Sequence, residues 1–236
     1  MKLTKPRDRF STAFGKEFDL CTFGIPHYDY FHKKLIQILK EKYKGKKPIK
    51  ILEIGAGTGN VLHRLRESEL IFQYVGVESS PVMYNQLVRK FNDIPNATFV
   101  LKDGLAFLEE NTTNTFSVVI NSWTFHNWNC QYRKEAIRGV FYNLDTNGIF
   151  LNADKIAIDC SDTHKKNYSW QIEYIKNVFS TRPDIVNEWI QHYQVDEQDD
   201  ILLNENTFST TLKHIGFSNY ELIERKFMDV VSVAYK

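Results

Sequence analysis

The chain has 236 residues, of which 42% are hydrophobic and 14% aromatic, and its formal net charge at pH 7 is +1. This length suits one sizeable α/β domain or two small ones, and no apolar run approaches the roughly 18 residues of a membrane span. The first residues lack the apolar core of a signal peptide, and Cys21, Cys130 and Cys160 are too far apart in sequence to form a metal-spaced pair. We therefore expect a protein of the reducing cytoplasm, with no membrane segment and no bound metal.

The near-zero net charge conceals an asymmetry along the chain. Residues 1–50 contain 13 Lys and Arg against 5 Asp and Glu, whereas residues 159–205 contain 4 against 10. A basic arm is compatible with nucleic-acid binding, but a cluster of lysines between the first predicted helix and the first predicted strand suits a helix carboxyl end and solvent. This lysine cluster consists of Lys40, Lys42, Lys44, Lys46, Lys47 and Lys50. The sequence favours the solvent interpretation and leaves RNA open as an alternative partner.

Helices and strands alternate along the first two thirds of the chain. In chain order, the hydrophobic spacing predicts a helix over 29–43, a strand over 49–54, a helix over 60–70, a strand over 74–78 and a helix over 82–91. A strand over 97–101, a short helix over 105–110, a strand over 116–121 and a helix over 132–144 follow. Asn147-Gly148 then predicts a turn into a strand over 149–153. This alternation indicates a mainly parallel sheet with helices on both faces.

The pattern changes after Asp154. Residues 161–205 predict two helices separated by Pro183, and a helix over 206–215 ends at Gly216. The first of the two helices is expected to bury one stripe that carries Trp170, Tyr174, Ile175, Val178 and Phe179. The strands that we predict over 220–227 and 230–235 are joined by a short turn, which favours an antiparallel pair at the sheet edge.

The predicted fold class is therefore α/β, with a doubly wound, mainly parallel seven-stranded sheet, an antiparallel C-terminal hairpin and a helical lid. We divide the chain into an N-terminal arm with a lid helix, residues 1–48, and a main domain, residues 49–236. The main domain carries a helical insertion at about residues 159–205.

The first predicted strand runs into a glycine-rich loop, Gly55-Ala56-Gly57-Thr58-Gly59. Glycine lets a backbone pass very close to a ligand. The second predicted strand ends on Glu78, and a carboxylate can accept hydrogen bonds from both hydroxyls of a ribose. A glycine loop and an acid at this spacing predict a nucleoside-cofactor site on a doubly wound sheet.

The glycine spacing separates two classes of nucleoside cofactor. A dinucleotide fingerprint requires G-x-G-x-x-G, whereas here Gly59 comes one residue early and Asn60 follows it. An NAD-dependent oxidoreductase would explain the loop and Glu78, but not Asp103-Gly104 or the segment from Asn121 to His126. A non-catalytic binding module is the other alternative, and it would need neither the glycine loop nor Glu78.

Taken together, these features resemble the class I S-adenosylmethionine-dependent methyltransferases. The matching residues are Leu52–Gly59, Glu78 with the two serines after it, Asp103-Gly104 and Val118–His126. The resemblance covers residues 49–154 strongly and residues 206–236 more loosely. It implies a Rossmann-like methyltransferase fold, S-adenosylmethionine as cofactor, and methyl transfer.

The resemblance also implies roles for individual residues. The loop glycines would approach the amino-acid end of the cofactor, Glu78 would bind the ribose and Asp103 would accept from the adenine amino group. Glu53 would act near the cofactor ammonium, or is an ordinary structural acid. The complete predicted set is Tyr28, Glu53, Gly55, Ala56, Gly57, Glu78, Ser79, Met83, Asp103, Gly104, Asn121 and Ser122.

The N-terminal segment resembles the carboxy-S-adenosylmethionine synthase branch of this superfamily. Pro26-His27-Tyr28 matches a Pro-Gly-Tyr element that lies over the cofactor, with His27 in place of the glycine. The resemblance implies that Tyr28 hydrogen-bonds the cofactor carboxylate and that the element excludes water. The branch also has an arginine in the helix before its last hairpin, whereas residues 208–214 contain none. This departure favours unmodified S-adenosylmethionine and leaves a synthase-like enzyme as an alternative.

Two histidines are candidate catalytic bases. Methyl transfer requires an aligned nucleophile and a base only where that nucleophile carries a proton. His126 follows the fourth predicted strand at the ligand-binding edge, and its ordinary pKa suits proton removal. It equally suits a role as a pocket residue. His27 is the second candidate.

Aromatic residues point to the methyl acceptor. Trp123 and Trp128 lie in the loop after the fourth predicted strand, where aromatic faces attract sulfonium and ammonium groups. Trp170 and Tyr174 belong to the acidic insertion, whose charge favours a small cationic acceptor over a polyanion. We therefore predict a small-molecule amine or hydroxyl acceptor, with an RNA (tRNA) methyltransferase as the alternative. The sequence leaves a homodimer open.

Overall fold

The computed structural model describes residues 9–45, 48–112 and 115–236. Residues 1–8 of the predicted arm, and Lys46 and Lys47 of the lysine cluster, lie outside the described residues. The described helices are α1 (Ala13–Lys16), α2 (Phe18–Cys21), α3 (Tyr28–Tyr43), α4 (Asn60–Arg66), α5 (Pro81–Phe91), α6 (Gly104–Glu110), α7 (Cys130–Asn143), α8 (Ser161–Val178), α9 (Pro183–Asp196) and α10 (Glu205–Ile215). The strands are β1 (Ile49–Ile54), β2 (Phe72–Glu78), β3 (Ala97–Leu101), β4 (Phe116–Ser122), β5 (Leu144–Lys155), β6 (Asn219–Lys226) and β7 (Asp229–Tyr235).

The seven strands form one sheet in the order β3-β2-β1-β4-β5-β7-β6. Strands β1 to β5 are parallel, and β7 runs antiparallel to both of its neighbours. This confirms the predicted fold class. Because the connections reverse direction between β1 and β4, a crevice opens at the carboxyl ends of these strands, where ligands bind in doubly wound sheets.

Helices cover both faces of the sheet, which explains the continuous apolar runs of its central strands. Leu52 and Ile54 of β1 face one core, which α6, α7 and α10 also fill, whereas Ile51 faces the other core with α3, α4 and α5. Successive side chains of a strand point to opposite faces. The two cores hold the strand ends, and so the crevice, in a rigid frame.

Strand β5 is longer than the sequence pattern predicts. We expected Asn147-Gly148 to be a turn before a strand over 149–153, but β5 begins at Leu144. The register with β4 moves from Phe116 opposite Leu144 to Val118 opposite Ile149, and Asn147 has a φ of 68°. The turn-forming residues therefore make a bulge inside the strand.

A third layer covers the carboxyl edge of the sheet. We call residues 9–27 together with α8 and α9 the lid layer. Its core consists of Phe14, Cys21, Ile25, Ile175, Phe179, Ile185, Trp189, Tyr193 and Met228. Gln171 Nε2 donates to Gly24 O at 2.8 Å and Trp189 Nε1 donates to Cys21 O at 3.2 Å, so the N-terminal segment is held by both helices.

The buried stripe of α8 differs from the predicted one. Ile175 and Phe179 are buried as expected, but Trp170 and Val178 are 38% and 40% exposed, and Gln171 is buried in their place. The expectation that one stripe carries Trp170 and Val178 was wrong, because the helix turns its Gln171 side towards Gly24. Within the described ranges, no helix is long and apolar enough to cross a bilayer.

Candidate functional site

A cavity of about 390 Å³ lies at the carboxyl edge of the sheet, and we call it the large cavity. Its floor comes from the ends of β1, β2 and β4 and the start of α6, and its roof includes Phe10 and Phe18 of the lid layer. Most predicted cofactor-binding residues line it, namely Tyr28, Glu53, Gly55, Ala56, Gly57, Glu78, Ser79, Met83, Asp103, Gly104 and Ser122. The aromatic residues Trp123 and Trp128, predicted to lie near the acceptor, line it as well.

The glycine loop approaches the cavity with its bare backbone. Gly55 N and Ala56 N donate to Val77 O at 2.8 and 3.0 Å, which ties the loop to β2. Gly57 has a φ of +57°, and the nearest atom to a Cβ built there is Met83 Cε at 3.5 Å. A side chain at this position would therefore project into open cavity space, as expected for a backbone that cradles a ligand.

Glu78 ends β2 with a carboxylate that backbone groups hold in place. Oε2 accepts from Gly57 N at 2.8 Å and Oε1 accepts from Ser80 N at 2.7 Å. The side chain is buried and lines the cavity. These two backbone donors fix the orientation of the Glu78 carboxylate at the wall of the cavity.

Asp103 is held at the far end of the cavity. Its Oδ1 accepts from Ala106 N at 3.0 Å, which caps α6, and from the Tyr132 hydroxyl at 2.6 Å. The two donors come from different helices. This arrangement orients the carboxylate before any ligand arrives.

Glu53 is a buried acid beneath the glycine loop. The Tyr74 hydroxyl donates to its Oε2, and only 2% of Glu53 is exposed. Burial, together with the Glu78 carboxylate, raises the pKa of Glu53 to about 8, although the hydrogen bond from Tyr74 acts in the opposite direction. Since a nearby cation favours the ionised form of an acid, a cationic ligand in this cavity would draw the proton off Glu53.

His32 is a cavity residue that the sequence analysis missed. Its Nδ1 lies 2.8 Å from Tyr28 O and its Nε2 lies 3.0 Å from Ser122 Oγ. The ring stacks on Trp123 with centroids 5.3 Å apart. Burial lowers the pKa of His32 to about 4, so the ring is neutral at pH 7. Its position one helical turn after Tyr28 was the signal available in the sequence.

His126 lines a smaller cavity of about 30 Å³, which shares Phe10, Phe18, Trp123 and Asn127 with the large one. Its Nδ1 lies 2.5 Å from Oδ1 of the fully buried Asp154. Since a carboxylate accepts, Nδ1 carries the proton. The opposite nitrogen, Nε2, lies 3.9 Å from Asp196 Oδ2.

Asp196, which lines the smaller cavity, forms ion pairs with two cationic side chains. Arg9 donates to its Oδ1, and Lys155 Nζ lies 2.6 Å from its Oδ2. These cations and His126 hold the pKa of the carboxyl well below its usual range against the opposing effect of burial. The sequence gives no local signal for the contact between Arg9 and Asp196, which are 187 residues apart.

Four predicted site residues lie outside both cavities. Asn121 is fully buried, and its Nδ2 donates to Asn152 Oδ1 and Asp154 Oδ2 of the neighbouring strand. The other three form a stack on the outer surface through Phe227. His27 and Trp170 lie on Phe227 with centroids 6.1 and 4.0 Å away, and Tyr174 stacks on Trp170. The described residues contain no group of three or more His, Cys, Asp or Glu arranged to hold a metal ion.

Residues 51–148 match the family model described as methyltransferase domain. The chain contains a methyltransferase domain of the class I, S-adenosylmethionine-dependent type. The matched range includes the glycine loop, Glu78 and Asp103, all of which face the large cavity. The resemblance to class I methyltransferases that was inferred from the sequence is confirmed. S-adenosylmethionine is also confirmed as the cofactor of this type of domain.

Known relatives of the methyltransferase domain differ in how much of the chain they share. Malonyl-(acyl-carrier protein) O-methyltransferase from Bacillus cereus is 29% identical over 145 residues, and the chain spans about half, 51%, of that relative's length. The aligned region covers 59% of this chain. Carboxy-S-adenosyl-L-methionine synthase from Nautilia profundicola is 21% identical over 225 residues, which are 92% of this chain and 89% of the relative.

A solved structure shares the whole fold. It comes from Methanococcus maripaludis and is described as a candidate S-adenosylmethionine-dependent methyltransferase. It superposes with a TM-score of 0.65 at 16% identity, covering 100% of this chain and 97% of that chain. At this identity the match shows a common fold.

Proposed function

We propose that this chain transfers a methyl group from S-adenosylmethionine to a small-molecule acceptor that carries an amine or hydroxyl group. The observation that carries the proposal is the cover that the lid layer places over part of the large cavity. Phe10 and Phe18 cover it, and the lid layer is tied to its rim by Asp19, which accepts from Thr58 Oγ1 at 2.6 Å and pairs with Lys90. A covered site excludes water from the reaction and suits an acceptor small enough to be enclosed.

The residues of the large cavity fit the cofactor. The bare backbone at Gly57 leaves space that a Cβ would fill, Glu78 would hold the ribose and Asp103 the adenine amino group. Glu53 would face the positively charged part. When bound, S-adenosylmethionine supplies a methyl group on a cationic sulfur. The volume of the large cavity, about 390 Å³, lies within the range of about 300–1,000 Å³ that is typical of small-molecule and cofactor pockets.

His126 is the group best placed to take a proton from the acceptor. Asp154 holds a proton on Nδ1, so Nε2, which lies 3.9 Å from Asp196 Oδ2, is the nitrogen left to act at the smaller cavity. That cavity adjoins the large one through Trp123 and Asn127. In its neutral form, an imidazole whose Nδ1 proton is held by a carboxylate is a suitable general base.

One observation supports a second candidate, a carboxy-S-adenosylmethionine synthase-like enzyme. The relative of that name aligns with nearly the whole chain, unlike the O-methyltransferase relative. Against it, α10 contains no arginine, and its Lys213 is exposed on the outer layer. Binding of carboxy-S-adenosylmethionine compared with S-adenosylmethionine separates the two candidates.

The first test is calorimetric titration of the protein with S-adenosylmethionine, S-adenosylhomocysteine and carboxy-S-adenosylmethionine. We expect the first two to bind more tightly than the third. Glu78→Gln should weaken binding by about 10–100-fold, because each lost hydrogen bond to a charged group is worth about 1.5–3 kcal/mol. Glu69→Gln, the same substitution at an exposed position that lines neither cavity, is the matched control. If the folded protein binds none of the three, the proposal is wrong.

The acceptor class is tested by formation of S-adenosylhomocysteine in the presence of small amines, small hydroxyl compounds or tRNA. We expect turnover with a member of the first two groups. Turnover with tRNA alone, falling steeply as salt rises, would replace the small-molecule acceptor with RNA.

A further inference from the structure

Ser122 and His32 form a hydrogen-bonded pair on the wall of the large cavity. Ser122 ends β4 and His32 lies one turn into α3, and both line the cavity. Ser122 Oγ and His32 Nε2 are 3.0 Å apart. Trp123 stacks over the imidazole at 5.3 Å and keeps the ring in this orientation.

The direction of the hydrogen bond follows from the other side of the imidazole. Nδ1 lies 2.8 Å from Tyr28 O, and a backbone carbonyl can only accept, so Nδ1 carries the proton. A neutral imidazole has one N–H group, which leaves Nε2 as an acceptor for the Ser122 hydroxyl. The ring is neutral because its burial lowers the pKa of His32 to about 4. The Ser122 oxygen therefore has only lone pairs left to offer to a ligand.

The sheet order places Ser122 at the reactive end of the cavity. Asp103, Glu78, the glycine loop and Ser122 lie at the carboxyl ends of β3, β2, β1 and β4, which are neighbours in that order. Adjacent strands lie about 4.8 Å apart, so Ser122 is roughly 10 Å from Glu78 across the sheet. With adenine at Asp103 and ribose at Glu78, as in the proposed function, the sulfur end of the cofactor extends towards Ser122.

We propose that His32 is a positioning residue that holds Ser122 as a hydrogen-bond acceptor, and that Ser122 thereby selects a methyl acceptor whose reacting atom bears an N–H or O–H group. The inference rests on the proposed function and narrows its substrate class. Ser122 is half-buried, and a bound acceptor would exclude water from it. An acceptor atom without a proton would then leave the lone pairs of Ser122 unpaired, and an unpaired polar group shielded from water is costly.

The test compares two cofactor analogues by calorimetry. Sinefungin has an amine-bearing carbon in place of the methyl-bearing sulfur, so it puts N–H donors where the acceptor meets the methyl group. S-adenosylhomocysteine has no group there. We expect Ser122→Ala to weaken the binding of sinefungin by about tenfold or more. The same substitution should weaken the binding of S-adenosylhomocysteine by no more than about twofold. Ser122→Thr should restore sinefungin binding, because it keeps the hydroxyl.

His32→Phe tests the positioning role, because it retains an aromatic ring against Trp123 but removes both nitrogens. We expect a selective loss of sinefungin affinity, smaller than that of Ser122→Ala, since the freed hydroxyl can rotate. Long-range proton–nitrogen NMR spectra of the 15N-labelled wild-type protein should show the Nδ1–H tautomer of His32. This readout stands even if the variant folds poorly. An Nε2–H tautomer, or unchanged sinefungin binding by folded His32→Phe, would overturn the role of His32.

Equal weakening of both analogues by Ser122→Ala would place Ser122 on a shared part of the cofactor and overturn the proposal. No weakening of either analogue would overturn it as well. Ser79→Ala, at the ribose end, is the control and should change both affinities equally. A wild-type protein that binds neither analogue contradicts the proposed function itself, so the two failures are distinguishable.

Discussion

The Tyr74 hydroxyl donates a hydrogen bond to Glu53, and both side chains are buried where β1 and β2 meet the glycine loop. The two residues come from adjacent parallel strands, in which Glu53 pairs with Gly76. The phenol replaces part of the water that Glu53 loses on burial. It does not remove the cost of a charge at this position, because burial raises the pKa of Glu53 to about 8.

This acid makes the protein less stable as the pH rises. An acid whose pKa is raised in the folded state contributes stability fully below its ordinary pKa, and that contribution is lost as the pH rises through the folded value. For Glu53 the window runs from pH 4.5 to about 8. Asp229, whose pKa burial raises to about 7, acts in the same direction from pH 3.8. Above pH 7, Glu53 accounts for more of the remaining pH dependence of stability than Asp229 does.

We expect the free energy of unfolding of the wild-type protein to fall between pH 7 and 8, with a slope of up to about 1.4 kcal/mol per pH unit from one acid. Glu53→Gln, which keeps the shape without the ionisation, should flatten that slope. Denaturant titrations at closely spaced pH values measure it. If the free energy of unfolding changes with pH equally in the wild-type and Glu53→Gln proteins, Glu53 is ionised throughout this pH range.

Two glycines of the loop should respond differently to alanine. A Cβ on Gly55 would lie 2.1 Å from Thr124 Oγ1, so Gly55→Ala must displace the segment after β4 and destabilise the fold. A Cβ on Gly57 meets only Met83 Cε, at 3.5 Å. We expect Gly57→Ala to fold with a loss of about 1–2 kcal/mol from its positive φ, but to bind cofactor at least about tenfold more weakly.

Gly45→Ala is the matched control for Gly57→Ala. Gly45 has a similar φ of +72°, and a Cβ there meets nothing within 4 Å. It should show the same backbone cost in a thermal melt and no change in the calorimetric affinity for S-adenosylmethionine. Equal affinities for the wild-type and Gly57→Ala proteins would mean that the cofactor does not approach this loop.

Local patterns explain why the sequence predicted most of this site. The glycine loop, Glu78 and Asp103 each follow a strand directly, so strand prediction alone places them at one edge of the sheet. Asn121 and Ser122 show the limit of this logic. Adjacent strand residues face opposite sides, and only Ser122 reaches the large cavity, whereas Asn121 bonds to Asn152 of β5.

The residues that the sequence did not reveal come from long-range packing. Arg9, Phe10 and Phe18 reach the cavities because α9 holds the N-terminal segment, through Trp189 among others. No local periodicity encodes such a contact. For the same reason, the aromatic residues of α8 were placed in the site by composition, although Trp170 packs on Phe227 at the outer surface.

His192 makes the lid layer sensitive to acid. It stacks on Phe14 with centroids 4.8 Å apart. Burial, reinforced by Arg9, lowers the pKa of His192 to about 4. A histidine that is neutral in the folded state contributes stability above its ordinary pKa of 6.5, and this is lost as the pH falls towards 4, where the unfolded chain alone binds the proton.

We expect His192→Phe, which retains the stack but cannot be protonated, to gain stability relative to the wild-type protein as the pH falls from 6.5 to 4. The gain should approach about 1.4 kcal/mol per pH unit, measured by denaturant unfolding at each pH. The comparison between the two proteins cancels His32, whose pKa burial also lowers to about 4. A constant difference across this range would mean that His192 is protonated in the folded protein.

A substitution at His126 should lower turnover without changing cofactor binding. His126 lines the smaller cavity, whereas the predicted cofactor residues line the large one. We therefore expect His126→Gln to leave the affinity for S-adenosylmethionine within about twofold of wild type while turnover falls by about 10²–10⁴-fold, the range for loss of a general base. Turnover is measured with an acceptor found among the amines and hydroxyl compounds.

Asp154→Asn extends this test to the residue that orients His126. An amide at position 154 can donate to Nδ1, which would move the imidazole proton to Nε2 and block the lone pair that faces the smaller cavity. We expect turnover to fall as in His126→Gln, and the double variant to be no slower than either single one, because residues that act as a unit are not additive. His214→Gln, on the exposed side of α10, controls for loss of a histidine. Full turnover by His126→Gln would mean that His126 only lines the cavity and is not the base. Additive losses of turnover in the double variant would show that Asp154 acts on the reaction by a route other than His126.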